Sequence, residues 1–137
     1  MRKIIILRGL PASGKSTWAK EQVLKENNWI IVNRDKIREM LKGIYSNFPF
    51  GTDMENLVTS IEDKSIYKAV ELGYDVIVDA TNFRGNRWIK YKKDVQFTYK
   101  EFDTSLKECI MRDSLREFPI GKEVIIKMYN KYIKNDR

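Results

Sequence analysis

Gly9-Leu10-Pro11-Ala12-Ser13-Gly14-Lys15-Ser16, followed by Thr17, fits the spacing G-x-x-x-x-G-K-[ST] at every fixed position. Gly9 and Gly14 let the backbone turn so that several N–H groups converge on one anion. Lys15 can reach the β- and γ-phosphates of a nucleotide, and the Ser16 hydroxyl can ligate the Mg²⁺ that bridges them. The candidate nucleotide-binding residues are therefore Gly9, Ala12, Ser13, Gly14, Lys15, Ser16 and Thr17, with Ser16 as metal ligand. The apolar run Lys3-Ile4-Ile5-Ile6-Leu7 reads as a strand entering the loop, and Trp18 to Leu24 as a helix leaving it. A helix that starts near Lys15 adds its positive end to the cradle.

Three further polar clusters bear on which reaction such a loop serves. In Asn33-Arg34-Asp35-Lys36-Ile37-Arg38, Asp35 and Arg38 are three apart and share a helix face. The carboxylate can take the proton of an attacking hydroxyl, and the guanidinium can grip a phosphate of the acceptor. The plainer alternative makes Asp35 a helix cap and pairs Arg38 with Glu39 or Glu71. In the second cluster, Asp79 closes the apolar stretch Val76-Ile77-Val78, as an acidic residue supporting Mg²⁺ would, and Thr81 and Asn82 behind it could orient the acceptor. Asp79 could instead cap its own turn. The third cluster is Arg112-Asp113-Ser114-Leu115-Arg116, two arginines four apart before Pro119 and Gly121. Arginines on a lid neutralise charge on a transferring phosphoryl group; on an ordinary helix they would pair with Glu108 or Asp113. The aromatic loop Tyr45 to Phe50 could stack bases, and the basic group Arg84, Arg87, Lys90, Lys92 and Lys93 could track a nucleic-acid backbone. Core or loop packing explains the aromatics at least as well, and a solvated helix face is the commoner explanation of such a basic group.

Composition narrows the chemistry. The chain of 137 residues has no histidine and one cysteine, Cys109. Histidine bases, Ser/His triads and Cys- or His-based zinc sites are excluded, leaving carboxylates, Lys, Arg and a bound metal. Cys109 cannot form an internal disulfide and reads as a core residue, which fits a reducing cytoplasm. The net charge of +7 suits a polyanionic partner. No apolar stretch approaches the ~20 residues of a membrane span and no signal peptide precedes the first strand. The expected location is the cytoplasm, that of the host if the chain is phage-encoded.

The elements that must position these groups alternate. Trp29 to Val32 reads as a strand, followed by a helix from about Lys36 to Lys42 that Gly43 can end. A longer helix from about Met54 to Leu72 carries Leu57, Ile61, Ile66 and Val70. Tyr74 to Val78 is the next strand, and a short helix is expected around Arg87 to Lys93. Val95, Phe97 and Tyr99 alternate with polar residues, as in a half-exposed edge strand. Ser105 and Glu108 are spaced as a capping box, and a last helix runs from about Lys122 to Ile133. The pattern predicts an α/β fold with about four parallel strands, helices on both faces and a helical lid, in one domain over 1–137.

Taken together, the loop Gly9 to Trp18, Val32-Asn33-Arg34-Asp35-Lys36-Ile37-Arg38, and Val78-Asp79-Ala80-Thr81-Asn82 resemble the kinase domain of bacteriophage polynucleotide kinases. The later Arg-x-x-x-Arg, Pro119-Ile120 and Met128-Tyr129 fit the same pattern, so the likeness covers nearly the whole chain. It implies the phosphate-loop NTPase fold and a 5′-hydroxyl kinase acting on DNA or RNA ends with ATP and Mg²⁺. On that likeness Lys15 and Ser16 serve the donor phosphates and metal, and Asp35 is the general base. Arg38 holds the phosphate next to the accepting end, Asp79 helps arrange the acceptor pocket, and Arg116 is the lid arginine, with Arg112 a second candidate. Related kinases of small metabolites (gluconate- or shikimate-type) or of sugar nucleotides (toxin-like) share the fold and a strand-end aspartate. A nucleotide-dependent switch shares the loop alone. Two departures stand out. No Asp-x-Asp-Gly-Thr segment follows, so the expectation is kinase without 3′-phosphatase chemistry. Ala12 occupies a position where glycine is frequent, and its small side chain is expected to be tolerated.

Overall fold

The computed structural model describes residues 2–43, 51–83 and 95–134. The aromatic loop Tyr45 to Phe50 and the basic group Arg84 to Lys93, with its expected short helix, lie outside them. Among the described residues the order is β1 (Arg2–Arg8), α1 (Lys15–Lys25), β2 (Trp29–Asn33), α2 (Arg34–Lys42), α3 (Thr52–Glu71), β3 (Asp75–Asp79), β4 (Val95–Glu101), α4 (Leu106–Ser114) and α5 (Lys122–Tyr132). The strands form one sheet in the order β2-β3-β1-β4, every pair parallel.

Both faces of β1 are covered, so its run is apolar throughout. Ile4 and Ile6 point to one side, where they pack with Val76 and Val78, with Ile37 of α2, and with Val58, Ile66 and Ala69 of α3. Leu7 points to the other, against Ile77 and Ala19, with Trp18, Trp29 and Phe102 around them. A full burial of this kind contributes about 1.5–3 kcal/mol per large side chain. A third cluster, Leu10, Cys109 and Ile125, joins the α4–α5 pair to the loop after β1. Cys109 is buried and its thiol is pushed up by that burial, so it is a core residue. Strand β4 takes one edge of the sheet as expected; Val95 is buried and Phe97 half-buried on one face, whereas Tyr99, further along that same face, is exposed.

Local signals explain the ends. Asn33 caps α2 by accepting from the Lys36 N–H at 3.0 Å, and Gly43, at φ 76°, closes it. Asp35 is therefore in the first turn of the helix while Asn33 is its cap. Ser105 accepts from the Glu108 N–H at 3.1 Å, but the Glu108 carboxylate turns to Arg112, so only half of the expected capping box forms. The buried stripe of α3 is Val58, Glu62, Ile66 and Ala69, whereas Leu57 is 43% exposed. Of the other residues expected there, Ile66 is fully buried and Ile61 and Val70 pack half-buried against the same core, so only Leu57 falls off the face, its place taken by Val58. No helix among the described residues is long and apolar enough to cross a membrane.

The break before α5 is organised by Asp113, which is buried at the end of α4. Its carboxylate accepts from the backbone N–H of Ile120 at 3.0 Å and of Gly121 at 2.9 Å. Gly121 is the N-cap of α5, and Asp113 fixes the entry to that helix from the preceding one by satisfying the N–H of the cap and of the residue before it. Replacing Asp113 with alanine is expected to cost about 2 kcal/mol of stability through two unsatisfied N–H groups. Asp113→Asn, which keeps one acceptor oxygen, should lose roughly half of that. Urea denaturation, read at the midpoint with unchanged slope, measures both.

Candidate active site

The carboxyl ends of the parallel strands fall on one edge of the sheet, and the chemistry-bearing segments leave from there. Asn33 pairs with Asp79 in register, and Arg8 with Glu101. The loop after β1 therefore faces the start of α2, the end of β3 and the α4–α5 pair. Together they enclose a cleft of about 810 Å³.

The loop is built by close approach. A Cβ on Gly9 would lie 2.8 Å from Ser13 Oγ and 2.9 Å from Phe102 Cβ, so only glycine fits. Gly14 has φ 104° and Ala12 φ 64°, both in the left-handed region. Alanine's small side chain is thus not the point at position 12: an L-residue there carries strain of order 1 kcal/mol that glycine would not. The loop is pinned from outside by Thr104 Oγ1, which donates to the Ser13 carbonyl at 2.8 Å, and by Gly9 N–H to the Thr81 carbonyl at 3.3 Å.

Lys15 begins α1 and is 7% exposed. Its ammonium donates to the carbonyls of Gly9 (3.0 Å) and Leu10 (2.6 Å) and to Ser13 Oγ (3.3 Å), spanning its own loop. Burial pulls it down from an ordinary 10.5 to about 8, against the opposing pull of Asp79. Ser16 Oγ donates to Asp79 Oδ2 at 2.7 Å, and the same oxygen accepts from Asn33 Nδ2 at 2.9 Å. Asp79 is buried, and it touches both the candidate metal ligand and the cap of the acceptor-side helix. The hydroxyl and carboxylate oxygens suit a hard cation such as Mg²⁺. Among the described residues no three His, Cys, Asp or Glu side chains cluster, so the remaining ligands would be phosphate oxygens and water.

Opposite the loop, Asp35 is mostly exposed and lines the cleft beside Arg38. Arg38 Nη1 donates to Asp35 Oδ1 at 2.7 Å. Its other edge is held by Glu55 of α3, with Nε to Oε2 at 2.9 Å and Nη2 to Oε1 at 2.5 Å. Glu39 pairs with Lys36 and Glu71 with Lys68, so neither is the partner the alternative reading supposed. The Arg38 hydrogen bond holds the Glu55 carboxyl below its usual range, against partial burial, and Arg38 is raised in turn. Arg34 is anchored to Thr59, to the buried Glu62 and to Glu55.

Arg112 and Arg116 both line the cleft from the α4 side. Each carries the intrahelical partner an ordinary helix would give it, Glu108 at 3.1 Å and Asp113 at 3.5 Å. Yet the Arg112 guanidinium also reaches the loop, lying 3.7 Å from where a Gly14 Cβ would stand.

Of the residues singled out in sequence, Ala12, Gly14, Lys15, Ser16, Thr17, Asp35, Arg38, Asp79, Thr81, Arg112 and Arg116 line one cleft. Gly9 and Ser13 shape the loop and face the Lys15 ammonium. Asn82 is not brought to the cleft. Its amide donates to the carbonyls of Leu7 (2.6 Å), Ala80 (3.1 Å) and Val78 (3.3 Å), at φ 53°, which spends its donors on joining the ends of β1 and β3. It is a structural clamp in place of the acceptor ligand expected from sequence. Glu55, Glu62 and Thr104 went unnoticed, because isolated polar residues carry no motif, and Asp113 was marked as a partner of the arginines but not as the anchor of the turn before α5. Asn33, too, lay in a marked cluster and so gave a signal.

A family model described as an AAA domain matches residues 4–132. The chain is 28% identical to a protein of Autographa californica nuclear polyhedrosis virus bearing the name bifunctional polynucleotide kinase/RNA ligase, over 97% of this chain and 21% of that one. It is 32% identical to the L-seryl-tRNA(Sec) kinase of Methanococcus maripaludis, over 94% of this chain and 52% of that one. A chain of the Pnkp1/Rnl/Hen1 RNA repair complex shares the fold at a TM-score of 0.83 and 28% identity, over 99% of this chain and 46% of that one. The chain thus spans about a fifth to a half of the length of these relatives. The likeness to polynucleotide kinases carried by the motifs returns in these matches. The chain belongs to this AAA-domain family, and its motifs, its fold and its named relatives together place it with the phosphate-loop kinases.

Proposed function

We propose that the chain transfers the γ-phosphoryl group of ATP to the 5′-hydroxyl end of DNA or RNA. The observation that carries this reading is the Asp35–Arg38 pair standing in the same cleft as Lys15, Ser16 and the two lid-side arginines. A switch needs the loop alone; a carboxylate paired with a guanidinium across from it is what an alcohol acceptor with a neighbouring phosphate requires. The positive charge of +7 and the viral relative's name favour a polynucleotide over a small metabolite. The archaeal relative's name favours a second reading, a hydroxyl on a charged tRNA, which uses the same donor half.

In this mechanism the loop N–H groups and Lys15 hold the donor phosphates, with the α1 N-terminus behind them. Bound Mg²⁺ would neutralise phosphate charge, and Ser16, with Asp79 behind it, is the pair placed to hold it. Asp35 accepts the proton as the 5′-oxygen bonds to the γ-phosphorus. The bond from that phosphorus to the β,γ-bridging oxygen breaks, and ADP leaves. Arg38 fixes the acceptor through its phosphate, and Arg116, with Arg112 beside it, offsets the charge that develops on the phosphoryl oxygens.

Two measurements bear on this. With labelled ATP and Mg²⁺, a 5′-hydroxyl oligonucleotide should take up label, and Asp35→Asn should lower the rate by at least about 100-fold. Label transferred equally by both proteins would leave Asp35 no role as base, and label appearing on seryl-tRNA alone would move the acceptor to the second reading. Nucleotide affinity should also depend on pH in a defined direction. Phosphates favour charged Lys15, so binding raises its pKa above the free value of about 8. Affinity is then full below pH 8 and falls as pH rises through it. Titration calorimetry at pH 8 in two buffers of different ionisation heat should register uptake of about half a proton per nucleotide bound. Lys15→Met should bind weakly, with no such uptake.

A further inference from the structure

Arg38 is gripped along its Nε/Nη2 edge by the two oxygens of Glu55 and on Nη1 by Asp35. A guanidinium has five N–H donors in a fixed plane; these contacts engage three, leaving two. Glu55 stands on the first turn of α3, a different element from Arg38, and also contacts Arg34, which is tied to the fully buried Glu62. The clamp is therefore anchored in the core, whereas Asp35 is a neighbour on the same helix as Arg38. Two contacts along one edge fix both the position and the plane of the guanidinium.

We infer that Glu55 is a positioning residue for acceptor specificity: by holding one edge of Arg38, it aims the two remaining N–H donors at the phosphate that follows the accepting nucleoside. The inference rests on the proposed polynucleotide kinase activity and deepens it. Without Glu55, Arg38 keeps only its contact with Asp35, a neighbour on its own helix, and the position and plane of the guanidinium are no longer fixed from outside α2. The remaining donors are then no longer aimed at the acceptor. Glu55 is not among the residues that line the cleft, so it acts through Arg38.

The test uses two 5′-hydroxyl oligonucleotides that differ only in their first internucleotide linkage, a phosphodiester or an uncharged methylphosphonate. The ratio of their kcat/KM values reports how much the enzyme gains from that one phosphate. Wild type should prefer the diester by about tenfold or more, the scale of a charge-assisted bidentate contact. In Glu55→Ala the ratio should fall toward one, with the KM for ATP unchanged, and Glu55→Gln, which keeps one acceptor oxygen, should lie between. Combined with Arg38→Ala, the Glu55 change should lower the ratio no further. A merely structural staple would lower activity on both oligonucleotides alike, so an unchanged ratio in Glu55→Ala overturns the inference while leaving the kinase standing. A raised ratio overturns it as well, since Glu55 would then be competing with the acceptor for Arg38. If Glu55→Ala does not fold, Glu55→Gln decides by the same criterion. Absence of transfer to either oligonucleotide by wild type overturns this inference together with the function it rests on.

Discussion

One carboxylate oxygen joins the two halves of the cleft. Asp79 Oδ2 accepts from Ser16 on the helix that carries the phosphate loop and from Asn33, which caps the helix bearing Asp35 and Arg38. Asp79 is 4% exposed, so an unpaired charge there would be costly, and both donors are needed to offset its desolvation. The parallel register makes the contact possible. Asn33 and Asp79 face each other at the ends of β2 and β3, and β1 lies next to β3, so its loop emerges beside them. The apolar strands are packed on both faces, and a slip of one residue would carry Ile4, Ile6, Val76 and Val78 to the opposite face and break both clusters. The distance from donor side to acceptor side is thereby fixed by the sheet, and the polar contacts only finish what it sets.

A second constraint is the balance of charge around this oxygen. Lys15, Arg34, Arg38, Arg112 and Arg116 all line the cleft, and a gathering of cations that dense repels itself without anions between them. The chain supplies them from β3, α2, α3 and α4: Asp79 acts on Lys15, Glu55 and Glu62 bind Arg34, Asp35 and Glu55 bind Arg38, Glu108 binds Arg112 and Asp113 binds Arg116. Lys15 is the exception in kind. Its hydrogen-bond partners are neutral loop carbonyls and a hydroxyl, so burial outweighs the attraction of Asp79 and its pKa falls. A lysine held that way is poised to gain from a phosphate, because the anion supplies the compensation the protein leaves incomplete.

What could be read from the sequence was what local rules express. The glycine-lysine loop, the apolar strands, the Gly43 end of α2 and the edge position of β4 follow from spacing and side-chain type, and the structure reproduces each. Long-range pairings were not legible. Glu55 is seventeen residues from Arg38, and only the packing of α3 on α2 brings them together. Ile61, Ile66 and Val70 of α3 do face the core, but Glu62, polar by type, gave no sign that pairing with Arg34 would bury it among them. Asn82 sat in a motif beside Asp79, and its role could be separated from that of Thr81 only once its amide was seen to close on the carbonyls of β1 and β3. Motif membership shows where a residue is; the direction of its donors decides what it does.

Ala12 shows the same limit from the backbone side. Size suggested that alanine could replace glycine there without effect, but the backbone at φ 64° makes conformation the relevant variable. Strain of about 1 kcal/mol at one residue persists only where neighbours over-determine the conformation. Those neighbours are identifiable. Lys15 bonds the carbonyls at the start of the loop, Thr104 holds the Ser13 carbonyl from the segment before α4, and Phe102 packs against Gly9 so closely that the loop cannot relax toward β4. The loop is thus shaped as much by the segment between β4 and α4 as by its own glycines. That dependence explains why a glycine can be lost at position 12 but not at position 9: the first asks only for a tolerable dihedral, whereas the second must leave empty a space that Phe102 and Ser13 already fill.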